Sequence, residues 1–169
     1  MDIATNHVCE LNETGTWELL RQGFDRLMAA QPANRAPGIV WGDARLGNLM
    51  VGDDYKVVAV MDWEQPSLGG ALQDLGWWLY TERIQTELQG LARLDGMGAR
   101  DETIALWSEV SGKSAQGVDW YETFAAFKMD CLTVRMLANG ALPEKARDMV
   151  PGKRIEHMMG LFPDTFAAV

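Results

Sequence analysis

Apolar residues early in the 169-residue chain recur at helical spacing, as Trp17, Leu20, Phe24, Leu27 and Met28. Pro32 removes a backbone donor and stops that helix. Residues 33–38 read as a loop, and Ile39-Val40-Trp41 as a short strand. Two apolar runs follow, Leu49-Met50-Val51 and Val57 to Met61. They flank Gly52-Asp53-Asp54, which predicts a hairpin. From Ala71 onward the pattern is helical. Leu72, Leu75, Trp78 and Leu79 mark one helix, and Leu88, Leu91 and Leu94 a second. Ile104, Trp107 and Val110 mark a third, ended by Gly112. A fourth runs from Asp119 to about Asn139, with Asp119 and Glu122 spaced as a capping box. Pro143 suits the first turn of a last helix. Three short strands cannot build a core alone, so the expected fold is mostly α with a small β-hairpin, an α+β lobe.

Two loops border the hairpin, and they hold the polar side chains of interest. GDARLGN contains Asp43 and Asn48, and DWEQPSLGG opens with Asp62. A hairpin returns the chain to its starting level, so Asp62 is expected close to Asn48. An amide oxygen and a carboxylate on adjacent loops suit Mg²⁺, which takes a few hard ligands from protein and the rest from phosphates and water. A further carboxylate set back from the metal can accept the proton of an attacking hydroxyl. The spacing of Asp, four residues, Asn and then a metal-binding Asp is that of a phosphoryl-transfer site. Seen singly, Asp43 and Asn48 are ordinary turn formers, Asp74 a solvated helix residue and Arg45 a surface cation. Trp77, Trp78, Trp107, Trp120 and Phe124 sit at helical spacing and read as core packing rather than an aromatic cage. Lys145-Arg147 and Lys153-Arg154 read as a solvated face.

The ordered motifs resemble the aminoglycoside phosphotransferase and choline-kinase-like superfamily, relatives of protein kinases. The family's loop reads His-Gly-Asp, four residues, Asn, and here it is WGDARLGN. Its metal motif resembles MDWE, and Pro66 and Asp74-Leu75-Gly76 follow as in the family. Arg45 and the stretch WYETFAAFKM look closest to the kinase-like domain fused to some acyl-CoA dehydrogenases. The resemblance spans about residues 15–140. It implies Asp43 as catalytic base, Asn48 and Asp62 as Mg²⁺ ligands, and Trp41 and Asp74 as supports of the loop. Arg45 and Glu64 are implied as outer-shell or substrate contacts. Trp41 stands where the family usually has His, so loop packing should differ.

The same resemblance divides the chain into a lead-in over 1–14, expected to be poorly ordered, and a lobe over 15–165. That lobe would hold a catalytic loop at 41–48, a metal loop at 62–66 and a helical substrate region at 71–160. It implies Mg²⁺ and ATP or GTP as cofactors of the complete enzyme, and a small-molecule hydroxyl as acceptor. No GxGxxG or Walker-type loop occurs, and all five lysines follow the catalytic loop. The nucleotide-binding N-terminal lobe is therefore expected to be missing, and the isolated chain to be inactive. Its uncovered surface near Ile39, Val40, Met50 and Val58 would favour self-association.

Net charge of −9 argues against a nucleic-acid partner. No signal peptide or apolar span is recognisable, so a cytoplasmic protein without a membrane partner is expected. Cys9 and Cys131 read as reduced thiols, and His7 and His157 have no ligand spacing. Two other readings stay open. One is a binding or interaction domain derived from such a lobe. The other is a metal-dependent hydrolase using Asp43 and Asp62.

Overall fold

The computed structural model describes residues 15–33, 37–141 and 150–167. The lead-in at 1–14, the helix start at Pro143 and the Lys145-Arg147 pair lie outside the described residues. The fold is mostly α with two small antiparallel ribbons, and the chain forms two compact units, residues 32–122 and residues 1–31 with 123–169.

In the unit of residues 32–122, β1 (Ile39–Val40) pairs with β4 (Ser67–Leu68), placing Ile39 opposite Leu68. Between them, β2 (Leu49–Val51) and β3 (Val57–Val60) form the expected hairpin, with Leu49 opposite Val60. Its turn is closed by Gly52 N–H on the Lys56 carbonyl at 2.9 Å. α1 is Thr16–Ala29 of the other unit, and α2 is Ala71–Arg83. α2 continues through a π-helical turn, Ile84–Leu88. Leu91 and Leu94 are exposed in an irregular segment, so the expected second helix is absent. Leucines at spacing of three imitate a helical stripe, but Leu91 and Leu94 are left more than half exposed. α3 is Arg100–Ser111 and ends at Gly112 as expected. α4 is Val118–Ala138.

Leu75 and Leu79 of α2 meet Val118 of α4 in a small core, with Leu72, Ile104 and Trp107 against it. Removing each such aliphatic side chain from water contributes about 1.5–3 kcal/mol. Gly76 sets how closely α2 and α4 approach, since a Cβ there would lie 2.6 Å from the Tyr121 carbonyl carbon. The expected capping box at Asp119 and Glu122 is corrected. Both residues sit inside α4, and Glu122 is fully buried. Its carboxylate accepts from Arg83 Nε at 2.9 Å and Arg100 Nε at 2.8 Å. Arg100 also pairs with Asp119, and Arg83 with Glu87 at 2.7 Å. A buried carboxylate persists only when such partners replace its water.

In the other unit α1 packs against α5 (Lys153–Leu161), and α6 (Pro163–Phe166) closes the chain. Leu20, Leu27, Ala125, Ala126, Ile155, Met158, Met159 and Phe166 are among its buried apolar residues. Trp17, Phe24 and Met28 are roughly half exposed, so the helix was read correctly but its buried stripe runs through Thr16, Leu20, Gly23 and Leu27. Arg154 corrects the solvated-face reading. It donates to the buried Asp130 at 2.6 Å, and Asp130 also accepts from Ile155 N–H at the start of α5. No helix among the described residues is long and apolar enough to cross a membrane.

Candidate active site

The catalytic-loop stretch leaves β1 at Val40, which is fully buried and so anchors the loop from below. Gly42 then turns with φ of 94°, a conformation that disfavours a side chain. A Cβ at that position would also lie 2.1 Å from the Gln65 carbonyl oxygen, so no other residue fits. Asp74, on the first turn of α2, holds this corner. One of its oxygens accepts from Trp41 N–H at 2.8 Å and the other from Gly42 N–H at 2.9 Å. The carboxylate thus replaces the water that two loop amides would otherwise require.

Asp43 follows directly. Its Oδ1 accepts from Trp77 Nε1 at 2.8 Å. Its Oδ2 accepts from Arg45 Nε at 2.9 Å and Asn48 Nδ2 at 2.6 Å. Burial by itself raises the Asp43 carboxyl. The bonds from Arg45, Asn48 and Trp77, with the Arg45 charge, outweigh burial and hold it below its ordinary value. The group is therefore ionised at neutral pH. A carboxylate offers about four lone-pair sites, and three donors occupy three of them. One remains for a hydroxyl proton.

Asn48 is buried at the end of a single 3₁₀ turn, Leu46–Asn48. Its amide N–H₂ faces Asp43, also meeting the Asp43 carbonyl at 3.0 Å, which leaves Oδ1 as the atom available to a cation. The hairpin register delivers Asp62 to the same end. Met61 N–H donates to the Asn48 carbonyl at 2.9 Å, and Asp62 is the next residue. Asp62 has φ of 61°, a left-handed backbone uncommon for a residue with a side chain. Among the described residues its carboxylate has no hydrogen-bond or ion partner. Asp62 and Glu64 are both exposed.

Trp41 ties the two loops together. Its indole N–H donates to the Met61 carbonyl at 2.7 Å, and its ring lies 6.1 Å from that of Trp63. No cluster of three His, Cys, Asp or Glu side chains suited to a metal occurs among the described residues. The donor set nevertheless fits Mg²⁺, which asks for one or two protein oxygens when phosphates supply others. Asn48 Oδ1 and the Asp62 carboxylate are such oxygens.

The profile of the phosphotransferase enzyme family, APH, matches residues 6–110, more than half of the sequence. The chain belongs to this family. The APH match contains the whole of the loop, the hairpin and α2, and stops within α3. A solved structure of a candidate aminoglycoside phosphotransferase from Ralstonia eutropha superposes with a TM-score of 0.66 at 22% identity. The superposition covers 99% of this chain and 56% of that one, so the fold is shared and this chain spans about half of the other's length.

Trp77 is the site residue that the sequence pattern did not reveal. Helical spacing places it among the core aromatics, and it is indeed buried, yet its indole N–H donates to Asp43. Helical spacing reports which face is buried and is silent on where a polar edge points. A buried Trp normally finds an acceptor for its N–H, but the sequence alone does not say which of the nearby carboxylates supplies it.

Proposed function

We propose that this APH-family chain carries the acceptor-activating half of a phosphotransferase. The complete enzyme moves the terminal phosphoryl group of ATP or GTP to a hydroxyl of a small molecule, in the cytoplasm where such nucleotides are plentiful. The observation that carries this reading is Asp43, ionised, held by three donors and left with one free lone-pair position. Phosphoryl transfer needs positioning and charge neutralisation more than a strong base. A carboxylate held from three sides can aim a hydroxyl and take its proton as the new bond forms.

Asn48 and Asp62 would hold Mg²⁺, which when bound neutralises charge on the phosphates. Arg45 screens Asp43 and sits exposed beside it, where an incoming phosphate would pass. Trp41 and Asp74 maintain the two loops in register. Cradling of the nucleotide phosphates is assigned to the portion of the enzyme that this chain does not match.

The test is transfer of labelled phosphate from ATP with Mg²⁺ to a panel of alcohols, using this chain supplemented with a nucleotide-gripping lobe. Asp43→Asn should lower the supplemented rate about 10²–10⁴-fold, the range for a positioned general base. An unchanged rate in Asp43→Asn refutes the base assignment. Turnover without nucleotide would point instead to hydrolysis.

A further inference from the structure

α3 has an unusual property for a helix in a small protein. None of its residues is buried. Yet Thr103, Leu106, Trp107 and Val110 fall at spacing of three and four, and so share one face. That face lines a cavity of about 600 Å³. Leu75 and Trp78 of α2 line it from another side, and Ala44, next to Asp43, also contributes. Leu106 is 61% exposed and Val110 79% exposed, so within this chain the apolar stripe is uncovered. The volume is that of an ordinary small-molecule site, about 300–1,000 Å³.

The polar inventory of this cavity is small. Its hydroxyls are Thr103 and Ser111. Its single carboxylate is Asp74, and both Asp74 oxygens already accept from the backbone of Trp41 and Gly42. A polyamine-like acceptor would need several carboxylates to replace its water. Only one of the chain's 24 acidic residues lines it. Two indole rings and a branched aliphatic wall suit an uncharged aromatic or branched body instead.

Resting on the phosphotransferase reading above, we propose that this cavity receives the apolar body of the acceptor. The substrate class is then a neutral alcohol with an aromatic or branched hydrocarbon body, its hydroxyl directed past Ala44 to Asp43. A polycationic aminosugar does not suit this lining. Trp78 and Trp107 grip the body, and Leu106 and Val110 determine its width. Trp77 lies beside Trp78 in the chain and bonds Asp43, so it reports arrival of the hydroxyl.

The test uses this chain alone, without nucleotide, and follows the indole N–H signals by two-dimensional NMR. The probes are 4-phenylbutan-1-ol, butylbenzene as the same body without the hydroxyl, and neamine as a polycation. The alcohol should move the Trp78, Trp107 and Trp77 signals. Butylbenzene should move Trp78 and Trp107 and leave Trp77 in place. Neamine should move none of the three. Leu106→Glu, at an exposed position, should weaken the alcohol about tenfold or more while the remaining spectrum is kept. Asp43→Asn should remove the Trp77 response alone. The proposal is overturned if neamine moves Trp78 and Trp107, if the alcohol moves neither, or if alcohol and hydrocarbon give the same response at Trp77. Because no phosphate is transferred, these outcomes are independent of the rate measured with Asp43→Asn in the supplemented enzyme.

Discussion

Asp74→Ala removes one acceptor from two backbone donors at once. The Trp41 and Gly42 amides lie 2.8 and 2.9 Å from the two oxygens in a part-buried corner. Hydrogen bonds to a charged acceptor contribute about 1.5–3 kcal/mol each. The pair is thus worth about 3–6 kcal/mol, reduced to about 3–5 kcal/mol because water can partly reach the vacated corner. With a urea dependence of about 2 kcal/mol per M, the unfolding midpoint of this unit should fall by about 1.5–2.5 M. Asp74→Asn tests the same idea more sharply. An amide presents one oxygen and one N–H₂, so one loop amide would face a donor. The Asn variant should therefore recover less than half of the loss. Hydrogen exchange at the Trp41 and Gly42 amides gives the local readout, and both should lose protection before the α2–α4 core does. Stability within about 0.5 kcal/mol of the parent, or unchanged protection at both amides, would refute the reasoning.

Other perturbations follow from the same geometry. Glu122→Ala leaves Arg83 and Arg100 without their shared buried partner and should cost about 3–5 kcal/mol in thermal or urea unfolding. Arg100→Ala should cost less, because Arg83 still serves Glu122. The folded Asp43 carboxyl lies below its ordinary value of 3.8. Its stabilising contribution is then complete above that value and disappears as pH falls through the lower folded value. Asp43→Ala should be less stable than the parent at pH 6, and the gap should close in strong acid when followed by unfolding titrations. Ile39, Met50, Val58 and Leu68 are exposed around the two ribbons, and Leu68 is 86% exposed. Light scattering should give a molar mass above that of one chain, and Val58→Lys should return it to a monomer.

The hairpin and its two loops were legible because Gly52-Asp53-Asp54 is a local turn signal with apolar runs on both sides. Pairing continues to Met61, whose N–H donates to the Asn48 carbonyl, although the register shifts between Met50 and Val51, an irregularity that the turn signal alone does not foretell. Asp74 was readable only through the family resemblance, since seen singly a carboxylate in the first turn of a helix passes for a solvated one. What failed was non-local. Glu122 looked like a cap because Asp119 lies three residues before it, whereas its real partners are 39 and 22 residues away. Arg154 looked solvated beside Lys153 until Asp130 from another helix covered it. Val40 was expected on an open face, yet a two-residue strand has one side inward, and Val40 took it while Ile39 did not. Leucine spacing at 88–94 carried no information about packing, because period alone does not say that a partner surface exists.

The link between Trp41 and the Met61 carbonyl has a consequence for how the protein responds to acidity. An imidazole at position 41 would gain a proton near pH 6.5 and alter its bonding as it did so. An indole N–H is a donor throughout that interval and carries no charge. The stretch from Gly38 to Trp78 contains no histidine and no cysteine. None of its side chains belongs to a type that ordinarily titrates between pH 5 and 8. The union of the two loops is accordingly blind to the acidity changes of a living cell. A rate that varies across that interval would be tracking the protonation of the nucleotide or the acceptor rather than of the loops that hold them.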